Sequence, residues 1–551
     1  MSWRSCPGGG PSLGRIRYPV DNRPGLPLSL ALWLCGENFC KDRFLISLMQ
    51  EPPGTCPRPA PRVHFILAVL MAACFAAPSH AFDLESRVQE FTLKNGMRFL
   101  VLPREGSPTF AAHISFKVGS VEENKGYTGA AHMLEHMLFK GTTTIGTLDW
   151  EKEKPLLEKM NRLGAEMDKA KADGADETKI ESMKARLKEL QAEHKKLIIS
   201  EGYSQLYQGQ GGVGFNAGTS KDDTNYIIRL PANKLELWAF IESERMRDSV
   251  FREFYSERDV VAEERRFSYE NQPTGKLYER FLATAFIAHP YGQPIIGWAS
   301  DIETLPLSEM ESFYNTWYVP NNAVAALVGN VDMEELKALA EKYFGGLPAK
   351  PLPPRVMSKE PEQGGQRRIS LAFEANPMVM MGFHKPTLPH HDDYVFDIIS
   401  QILSGGRTGR FNKELVIKKK IAVSVETYTV PGSRYPNVFT IGGAPRPPHT
   451  TENLEEAVWV ELERLKTEPV GEKELQKVLN NVEADMIREL VSDYSMARRL
   501  TYYQQMAGDW RYLTEYMEKI KKITPEDIQK TAQKYFTYEN LTVATLVQKK
   551  K

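Results

Sequence analysis

The stretch of sequence that decides the fold is Ala131-His132-Met133-Leu134-Glu135-His136-Met137-Leu138-Phe139-Lys140-Gly141-Thr142. His132 and His136 are four residues apart, so on a helix they lie on one face, one turn from each other. Two imidazoles so placed can bind one metal ion. Glu135 points toward the same face, where a carboxylate can accept a proton from water. The alternative is a buried helix with two structural histidines.

A metal site of this kind needs a further ligand, because catalytic zinc usually takes three protein side chains and one water. The candidates lie in residues 255–264. Glu257 and Glu264 are seven residues apart there, which is two helical turns, and so share a helix face. Glu263 points about 100° away from that face. Without the first motif, a solvated charged helix would be the better interpretation of these carboxylates.

Taken together, three motifs resemble those of the pitrilysin/insulinase family of inverted-motif zinc metallopeptidases. They are H-x-x-E-H followed by F-K-G-T, then Asn216-Ala217-x-Thr219-Ser220, then E-R-x-V-V-x-x-E. The resemblance is nearest to the two-domain subgroup that includes mitochondrial processing peptidase and its bacterial relatives, and it spans about residues 88–547.

The resemblance implies the role of each site residue. Zinc, one ion per chain, would be bound by His132, His136 and Glu264. Glu135 would be the catalytic general base, and Glu257 a supporting residue near the metal. The implied protein is a zinc-dependent endopeptidase that hydrolyses peptides or unfolded polypeptide segments through a metal-activated water.

In the family, the segment around Asn216 is an edge strand beside the metal, to which the peptide substrate adds through backbone hydrogen bonds. Asn216 and Ala217 are therefore the expected substrate-binding residues. The alternative function is a non-catalytic partner subunit of a peptidase-like complex. Such subunits normally lose motif residues, whereas all four are present in this chain.

The chain has 551 residues and is too long for a single core. The pattern of residues 318–328 recurs at 536–547, each time after an amphipathic helix, which indicates duplicated α+β domains. We predict two homologous domains, each an antiparallel sheet covered by helices. The catalytic metallopeptidase domain spans 82–346, a Pro-rich linker spans 347–367, and an inactive homologous domain spans 368–551.

Residues 148–200 form a predicted insertion in the first domain. An apolar stripe of Leu156, Met160, Leu163 and Met167 and a second one from Ile180 to Leu197 flank a turn at residues 173–176, which is typical of an antiparallel, coiled-coil-like helical hairpin. In the subgroup the neighbouring motifs lie closer together by about the length of this hairpin. Its role stays open between a solvated arm and an element that gates substrate or binds a partner; an adhesin built around it has no other support.

The N-terminal region is expected to be removed from the mature chain. Residues 1–57 are interpreted as disordered or as upstream sequence included by an early start codon. Residues 58–81 have the basic, apolar and small-x-small pattern of a signal peptide, cleaved before Phe82. Export to the periplasm or medium is expected, with a lipid anchor at Cys74 as the alternative. All five cysteines lie at or before position 74, so that mature chain would contain no disulfide.

The net charge of the chain and its differences from the family motifs limit which partners are expected. A net charge of −1 gives no basic excess for binding nucleic acid. Membrane contact is expected only through the signal or the lipid anchor. Relatives carry an Arg and a Tyr in the second half that hold the substrate carbonyl, where this chain has Val416 and Val423. We therefore expect a dimer, with a homologous chain that lacks the metal motif as the candidate partner.

Overall fold

Two β-sheets organise the chain. The computed structural model describes residues 84–548, so the predicted segments 1–57 and 58–81 lie outside the described residues. The first sheet has the strand order β1-β2-β6-β3-β5-β4 and the second the order β7-β11-β8-β10-β9. The strands are β1 (Gln89–Thr92), β2 (Arg98–Pro103), β3 (Thr109–Phe116), β4 (Val213–Thr219), β5 (Thr224–Pro231), β6 (Ala323–Gly329), β7 (Arg367–Phe373), β8 (Met378–Lys385), β9 (Ala422–Val430), β10 (Asn437–Pro445) and β11 (Leu541–Gln548).

Helices connect and cover these strands. None of the helices within residues 84–548 combines the length and the apolar character needed to cross a bilayer. Between the two sheets, residues 347–366 contain neither helix nor strand, in the region where the sequence predicts the linker. The α-helices are α1 (Leu84–Arg87), α2 (Ala130–Met137), α3 (Trp150–Ala172), α4 (Glu177–His194), α5 (Gly202–Gly209), α6 (Leu235–Arg247), α7 (Phe254–Arg265), α8 (Pro273–Ala285), α9 (Ala299–Thr304), α10 (Leu307–Trp317), α11 (Met333–Tyr343), α12 (His391–Ser404), α13 (Thr451–Thr467), α14 (Glu472–Val491), α15 (Asp493–Met506), α16 (Tyr512–Ile520) and α17 (Pro525–Tyr535).

The two sheets repeat one topology, which confirms the predicted α+β fold of two similar halves. The order β2-β6-β3-β5-β4 of the first sheet corresponds to β7-β11-β8-β10-β9 of the second. Both sheets are antiparallel apart from one parallel pair, β2 with β6 and β7 with β11. The last strand of each half, β6 or β11, thus lies between a parallel neighbour, β2 or β7, and an antiparallel one, β3 or β8.

The halves interlock through two exchanged helices. Helix α8, from the first half, packs on β7 and β11 of the second sheet, and α15, from the second half, packs on β3 and β6 of the first. Hydrogen bonds fix α15 in place: Thr501 lies 2.7 Å from Nδ1 of His113, and Gln505 donates to the carbonyl of Ser115. Strands β3 and β6 are buried on both faces, and α15 covers one of them.

The predicted helical hairpin is present as α3 and α4. Its buried seam contains Leu157, Met160 and Met167, whereas Leu156, expected in that seam, is only half-buried. The difference is a shift of the buried stripe around α3. This shift follows from packing against α7 as well as against α4.

The hairpin is docked on α7 and does not project as a free arm. The Tyr255 hydroxyl donates to the carbonyl of Asn161 at 3.2 Å. Arg258 forms a two-pronged ion pair with Asp168, at 2.8 and 2.9 Å. Backbone and ring also approach closely, because a Cβ placed on Gly164 would lie 2.1 Å from the Tyr255 ring. The helix that carries Glu257 and Glu264 therefore has the hairpin as its support.

A buried ionic cluster joins the base of the hairpin to the segment that follows α2. Glu153 of α3 accepts from Nε of Arg252 at 2.5 Å, and His194 of α4 lies 3.1 Å from the same carboxylate. All three side chains are buried. Arg252 also donates to the carbonyls of Lys140 and Thr142, just after α2. Every strong donor and acceptor of the cluster is thus paired inside the protein.

The close approach at Gly164 gives a stability prediction. Gly164→Ala should lower the free energy of unfolding by about 1–3 kcal/mol, the typical cost of overpacking. In an unconstrained helix the same change would stabilise by up to about 1 kcal/mol. Gly209→Ala is the control, since a Cβ there meets nothing within 4 Å. Urea unfolding of both variants decides it, and equal stability would show that the hairpin does not press on Tyr255.

Candidate metal centre

The histidine helix α2 is held at its N-terminus by a buried carboxylate. Glu123 accepts hydrogen bonds from the backbone N–H of Gly129 at 2.9 Å and of Ala131 at 2.8 Å. Gly129 has φ +92°, and a Cβ there would lie 2.4 Å from the carbonyl oxygen of Ile296. Only glycine fits this position, and the helix begins at the next residue, Ala130.

Helices α2 and α7 bring together the three side chains predicted to bind zinc. Nε2 of His132 lies 3.8 Å from Oε1 of Glu264, and Nε2 of His136 lies 3.5 Å from Oε2 of the same carboxylate. One ligand atom from each residue lies within 4.8 Å of the others. Within residues 84–548 this is the only such group of His, Cys, Asp and Glu side chains. Glu263, by contrast, is exposed and pairs with Arg266.

Glu257 lies two helical turns before Glu264 on α7 and orients the second histidine, His136. Its Oε1 lies 2.9 Å from Nδ1 of His136, and its Oε2 lies 2.5 Å from Nζ of Lys140. Burial acts to raise the pKa of Glu257, but the hydrogen bonds from His136 and Lys140 outweigh it and hold that pKa at about 2. Since Nδ1 is engaged by the carboxylate, Nε2 of His136 is left to face Glu264.

Glu135 lies between the histidines and the edge strand β4. Its Oε2 accepts a hydrogen bond from the Thr219 hydroxyl at 2.6 Å. Burial raises the pKa of Glu135, against the opposing effect of the Thr219 hydrogen bond. A carboxylate with a raised pKa is better matched to accepting and returning a proton near neutral pH.

Strand β4, which contains Asn216 and Ala217, is at the edge of the first sheet. Its pairing with β5 shifts register between Val213 and Asn216, as at a β-bulge. Because β4 is an edge strand, one side of it is free to pair with an added extended segment. Thr219 ends the same strand, so the hydrogen bond to Glu135 links that edge to the histidine helix.

A cavity of about 530 Å³ lies beside the site. Glu135, His136 and Phe139 form one wall, and Ile198 and Ile199, which follow the hairpin, form another. The hairpin therefore contributes to the cavity by returning the chain next to α2.

The donor set fits a zinc ion. Neutral imidazole nitrogens and a carboxylate oxygen are the ligands that catalytic zinc sites use. Burial, together with the charge of His136, lowers the pKa of His132 to about 3, so His132 is neutral over the physiological range. For His136, burial opposes protonation, but the hydrogen bond and charge of Glu257 outweigh it and raise the pKa. A bound cation would displace that proton.

Sequence reasoning missed several residues that shape the site. Lys140 and Thr219 lie inside the quoted motifs, but no spacing rule signals their contacts. Glu123 and Glu153 act through the tertiary fold, and nothing in their sequence context distinguishes them from other glutamates. In the second half, Arg410 forms an ion pair with Glu474 at 2.7 Å.

An inverted H-x-x-E-H helix packed on a glutamate-bearing helix, in an α+β fold of two similar halves, defines a protein of the metallopeptidase class. The sequence comparisons agree. The family profile described as "Insulinase (Peptidase family M16)" matches residues 99–173, and the profile "Peptidase M16 inactive domain" matches residues 304–482. The zinc protease PqqE of Helicobacter pylori is 29% identical over 478 residues, covering 85% of this chain and 95% of that protein.

Solved structures give the same picture. A protease from Helicobacter pylori matches with a TM-score of 0.70 and 28% identity, over 84% of this chain and 99% of that one. The periplasmic protease PqqL from Escherichia coli has a similar fold, with a TM-score of 0.63 and 17% identity. This match covers 84% of the present chain but 47% of PqqL. The chain belongs to the pitrilysin/insulinase family of metallopeptidases, peptidase family M16.

The geometry of α7 gives a prediction that separates neighbouring glutamates. Glu264→Gln should lower zinc affinity by more than the roughly 10- to 100-fold typical of a supporting residue, because it removes a charged ligand. Glu263→Gln, the matched control, should leave zinc content unchanged, since its side chain is 70% exposed and faces Arg266. Metal content per chain and competition with a chelator measure both. Equal zinc loss in the two variants would contradict the ligand assignment.

Proposed function

We propose that this protein is a zinc-dependent endopeptidase that hydrolyses peptides or unfolded polypeptide segments. The observation that carries the proposal is the convergence of His132, His136 and Glu264, with Glu135 beside them. Glu135 is also tied to the end of a free sheet edge, so the same place offers a metal site, a proton acceptor and a surface for an extended chain.

The residues of the chain then have distinct tasks. When bound by His132, His136 and Glu264, zinc supplies Lewis acidity for the scissile carbonyl and for a water molecule. Glu135 accepts the proton of that water on Oε1, since Oε2 is engaged by Thr219, and returns it to the leaving amine. Glu257 fixes the tautomer and orientation of His136.

Strand β4 sets the register of the substrate in this proposal. An extended peptide pairs with the free edge at Asn216 and Ala217, and its side chains alternate between the two faces of the sheet. Because Thr219 ends the strand at Glu135, backbone pairing along β4 carries the scissile bond to the proton acceptor. Recognition through the backbone suits unfolded segments, whose amide groups are free.

Glu135→Gln tests the mechanism. The amide cannot accept the proton of water, so kcat should fall by at least about 100-fold, the lower end of what general acid–base catalysis contributes. Zinc content should stay at one ion per chain. A fluorogenic peptide library, assayed with and without a chelator, measures hydrolysis, and Glu263→Gln is the control with the same change of charge. Normal turnover by Glu135→Gln would refute the mechanism, and zinc-free, inactive wild type would favour the non-catalytic subunit instead.

A second, homologous chain is the proposed partner. Val423 is 56% exposed on β9, and neither it nor Val416 has a polar side-chain atom to hold a substrate carbonyl. The half-length match to PqqL is the expected result if that longer protein joins two such units in one chain. A partner that carries the missing polar groups and lacks the metal motif would complete the site.

The isolated chain should therefore be a weak enzyme whose activity rises when the partner is added. Activity per chain is measured at increasing concentration, alone and after co-expression with a homologous chain from the same genome. A charge-stabilising group missing from such a site typically lowers kcat by about 10²–10³. Full activity as a monomer or a homodimer would contradict the proposal.

Export is proposed from the signal pattern of residues 58–81. The mature chain should begin at Phe82, or at a lipidated Cys74, and N-terminal sequencing with intact mass of exported material distinguishes the two. Replacing Cys74 with Ala should leave cleavage before Phe82 intact and abolish lipid attachment. Exported material that still contains residues 1–57 would contradict both forms of the proposal.

A further inference from the structure

The second half builds the counterpart of the metal centre without its metal ligands. Helix α12 follows β8 as α2 follows β3, and it packs on α14 as α2 packs on α7. Strand β9 is the edge strand of the second sheet, as β4 is of the first. The position that contains the metal site in the first half is therefore framed by α12, α14 and β9 in the second.

A side-chain contact repeats along with the architecture. In the first half, Thr219 of β4 donates to Glu135 of α2. In the second half, Thr427 of β9 lies 2.7 Å from Ser400 of α12 and also bonds to Ser404. Hydroxyl groups thus replace the carboxylate, and no histidine pair accompanies them within the described part of α12. The second half therefore has the same arrangement of helices and edge strand as the metal centre, but not its histidine pair.

The counterpart position is a large cavity. Its volume is about 740 Å³, compared with about 530 Å³ beside the metal centre. Helices α12, α14, α15 and α16 form the walls, and the ends of β8 and β10 form the floor. The polar residues that face it from α12 are Asp393, Asp397, Ser400 and Gln401, spaced along one side of the helix.

The charges around the cavity leave one carboxylate without a cation. Lys385 pairs with Asp393, Arg499 with Glu489, and Arg488 with Asp485. Asp397 accepts a hydrogen bond from the Tyr516 hydroxyl at 2.7 Å. It forms no ion pair with a lysine or arginine of residues 84–548.

The environment of Asp397 favours neutralisation by a cation. Burial raises the pKa of its carboxyl to about 6 and the charge of Asp393 adds to the shift, against the Tyr516 hydrogen bond and the more distant charges of Lys385 and Arg499. The carboxylate is therefore largely ionised near neutral pH, in surroundings that penalise its charge. A cationic group brought beside it would relieve that penalty.

Asn437 lies on the floor of the cavity, and its side-chain oxygen has no hydrogen-bond partner among the described residues. The residue is 1% exposed. Its Nδ2 donates to the carbonyl of Gly432 at 2.8 Å, which fixes the amide with Oδ1 free. Asn437 lies directly across the β8–β10 ladder from Lys385. Because Oδ1 is enclosed by protein atoms, Asn437 shapes the floor of the cavity and presents no acceptor to it.

The cavity adjoins a groove that runs along the proposed peptide-binding edge. A groove of about 650 Å³ is lined by residues 216–220 of the first half and by α15 of the second. Ser433, Glu489, Arg499 and Tyr502 line both the groove and the cavity. The groove along β4 and the cavity of the second half are therefore neighbours that share this boundary.

We propose that this cavity binds the ammonium or guanidinium group of the bound peptide, with the carboxylate of Asp397 as its acceptor. The inference deepens the proposed endopeptidase function and rests on it. Either a basic side chain or a free N-terminus carries the required chemistry: several N–H donors and one positive charge. The cavity would then set which part of a polypeptide is drawn to the edge strand, at a distance from the metal centre.

Binding is measured with full chains that contain Glu135→Gln, so that the result does not depend on turnover. The probes are fluorescein-labelled, N-acetylated peptides of Ala, Ser and Leu in which one lysine is moved along the sequence. Norleucine replaces that lysine in a matched set, and a free-amine version of the norleucine peptide tests the N-terminus. Anisotropy titrations give the dissociation constants.

Lysine at one position, or the free amine, should tighten binding at least about tenfold over norleucine, the effect of one charged hydrogen bond. Asp397→Asn should abolish this gain and leave norleucine peptides within twofold of the parent (about the reproducibility of such titrations), which also reports that the variant is folded. Asp173→Asn, an exposed change of the same charge at the hairpin tip, is the control and should keep the gain.

Two results would overturn the proposal: peptides that bind without any preference for a cation, or a preference that survives Asp397→Asn. Hydrolysis of the same peptides by the chain with Glu135 intact is assayed in parallel. If hydrolysis occurs without cation preference, the cavity proposal fails and the endopeptidase proposal stands. If no peptide binds and none is hydrolysed, both fail.

Discussion

The pairing of α2 with α7 is the constraint on which the rest of the structure depends. The candidate metal ligands come from helices that are far apart in sequence, and one ligand atom from each lies within 4.8 Å of the others. The contact between Nδ1 of His136 and Glu257, at 2.9 Å, closes that gap. This contact joins the two helices, and it also turns Nε2 of His136 toward Glu264. A shift of either helix by about one ångström would break both.

The hairpin stabilises that pairing from outside. It lies along α7 through Arg258 and Tyr255, and at its base Glu153 holds Arg252. Arg252 in turn binds the carbonyls that follow α2. The segments before α7 and after α2 are thus fastened to each other through one buried guanidinium. An inserted element has become part of the frame of the metal centre, while its outer face remains exposed to solvent.

The two halves share a topology and differ in chemistry at the same place. Exchange of α8 and α15 means that neither sheet is covered without the other half. The turn between β9 and β10 adds a polar junction, where the backbone N–H of Ser433 donates to Asp222 at 2.6 Å, next to the end of β4. The edge strand of the first half is therefore placed by the second. The candidate metal ligands thus lie in one half, and a polar cavity lies at the corresponding place in the other.

The candidate site and the repeat of the fold can both be predicted from the order of the residues. The spacing of His132, Glu135 and His136 depends only on helical geometry, and the seven-residue interval from Glu257 to Glu264 places both on one face of α7. The pattern that recurs at the end of each half predicts two similar domains, and two apolar stripes around a turn predict the hairpin. Which of these elements contact one another is seen only in the tertiary structure. The bond from Thr219 to Glu135, the burial of Glu153 with Arg252, the shift of the hairpin seam toward α7, and the unpaired Asn437 all depend on contacts between distant segments. Such contacts leave no periodic trace in the chain, because burial and pairing are properties of the packed molecule.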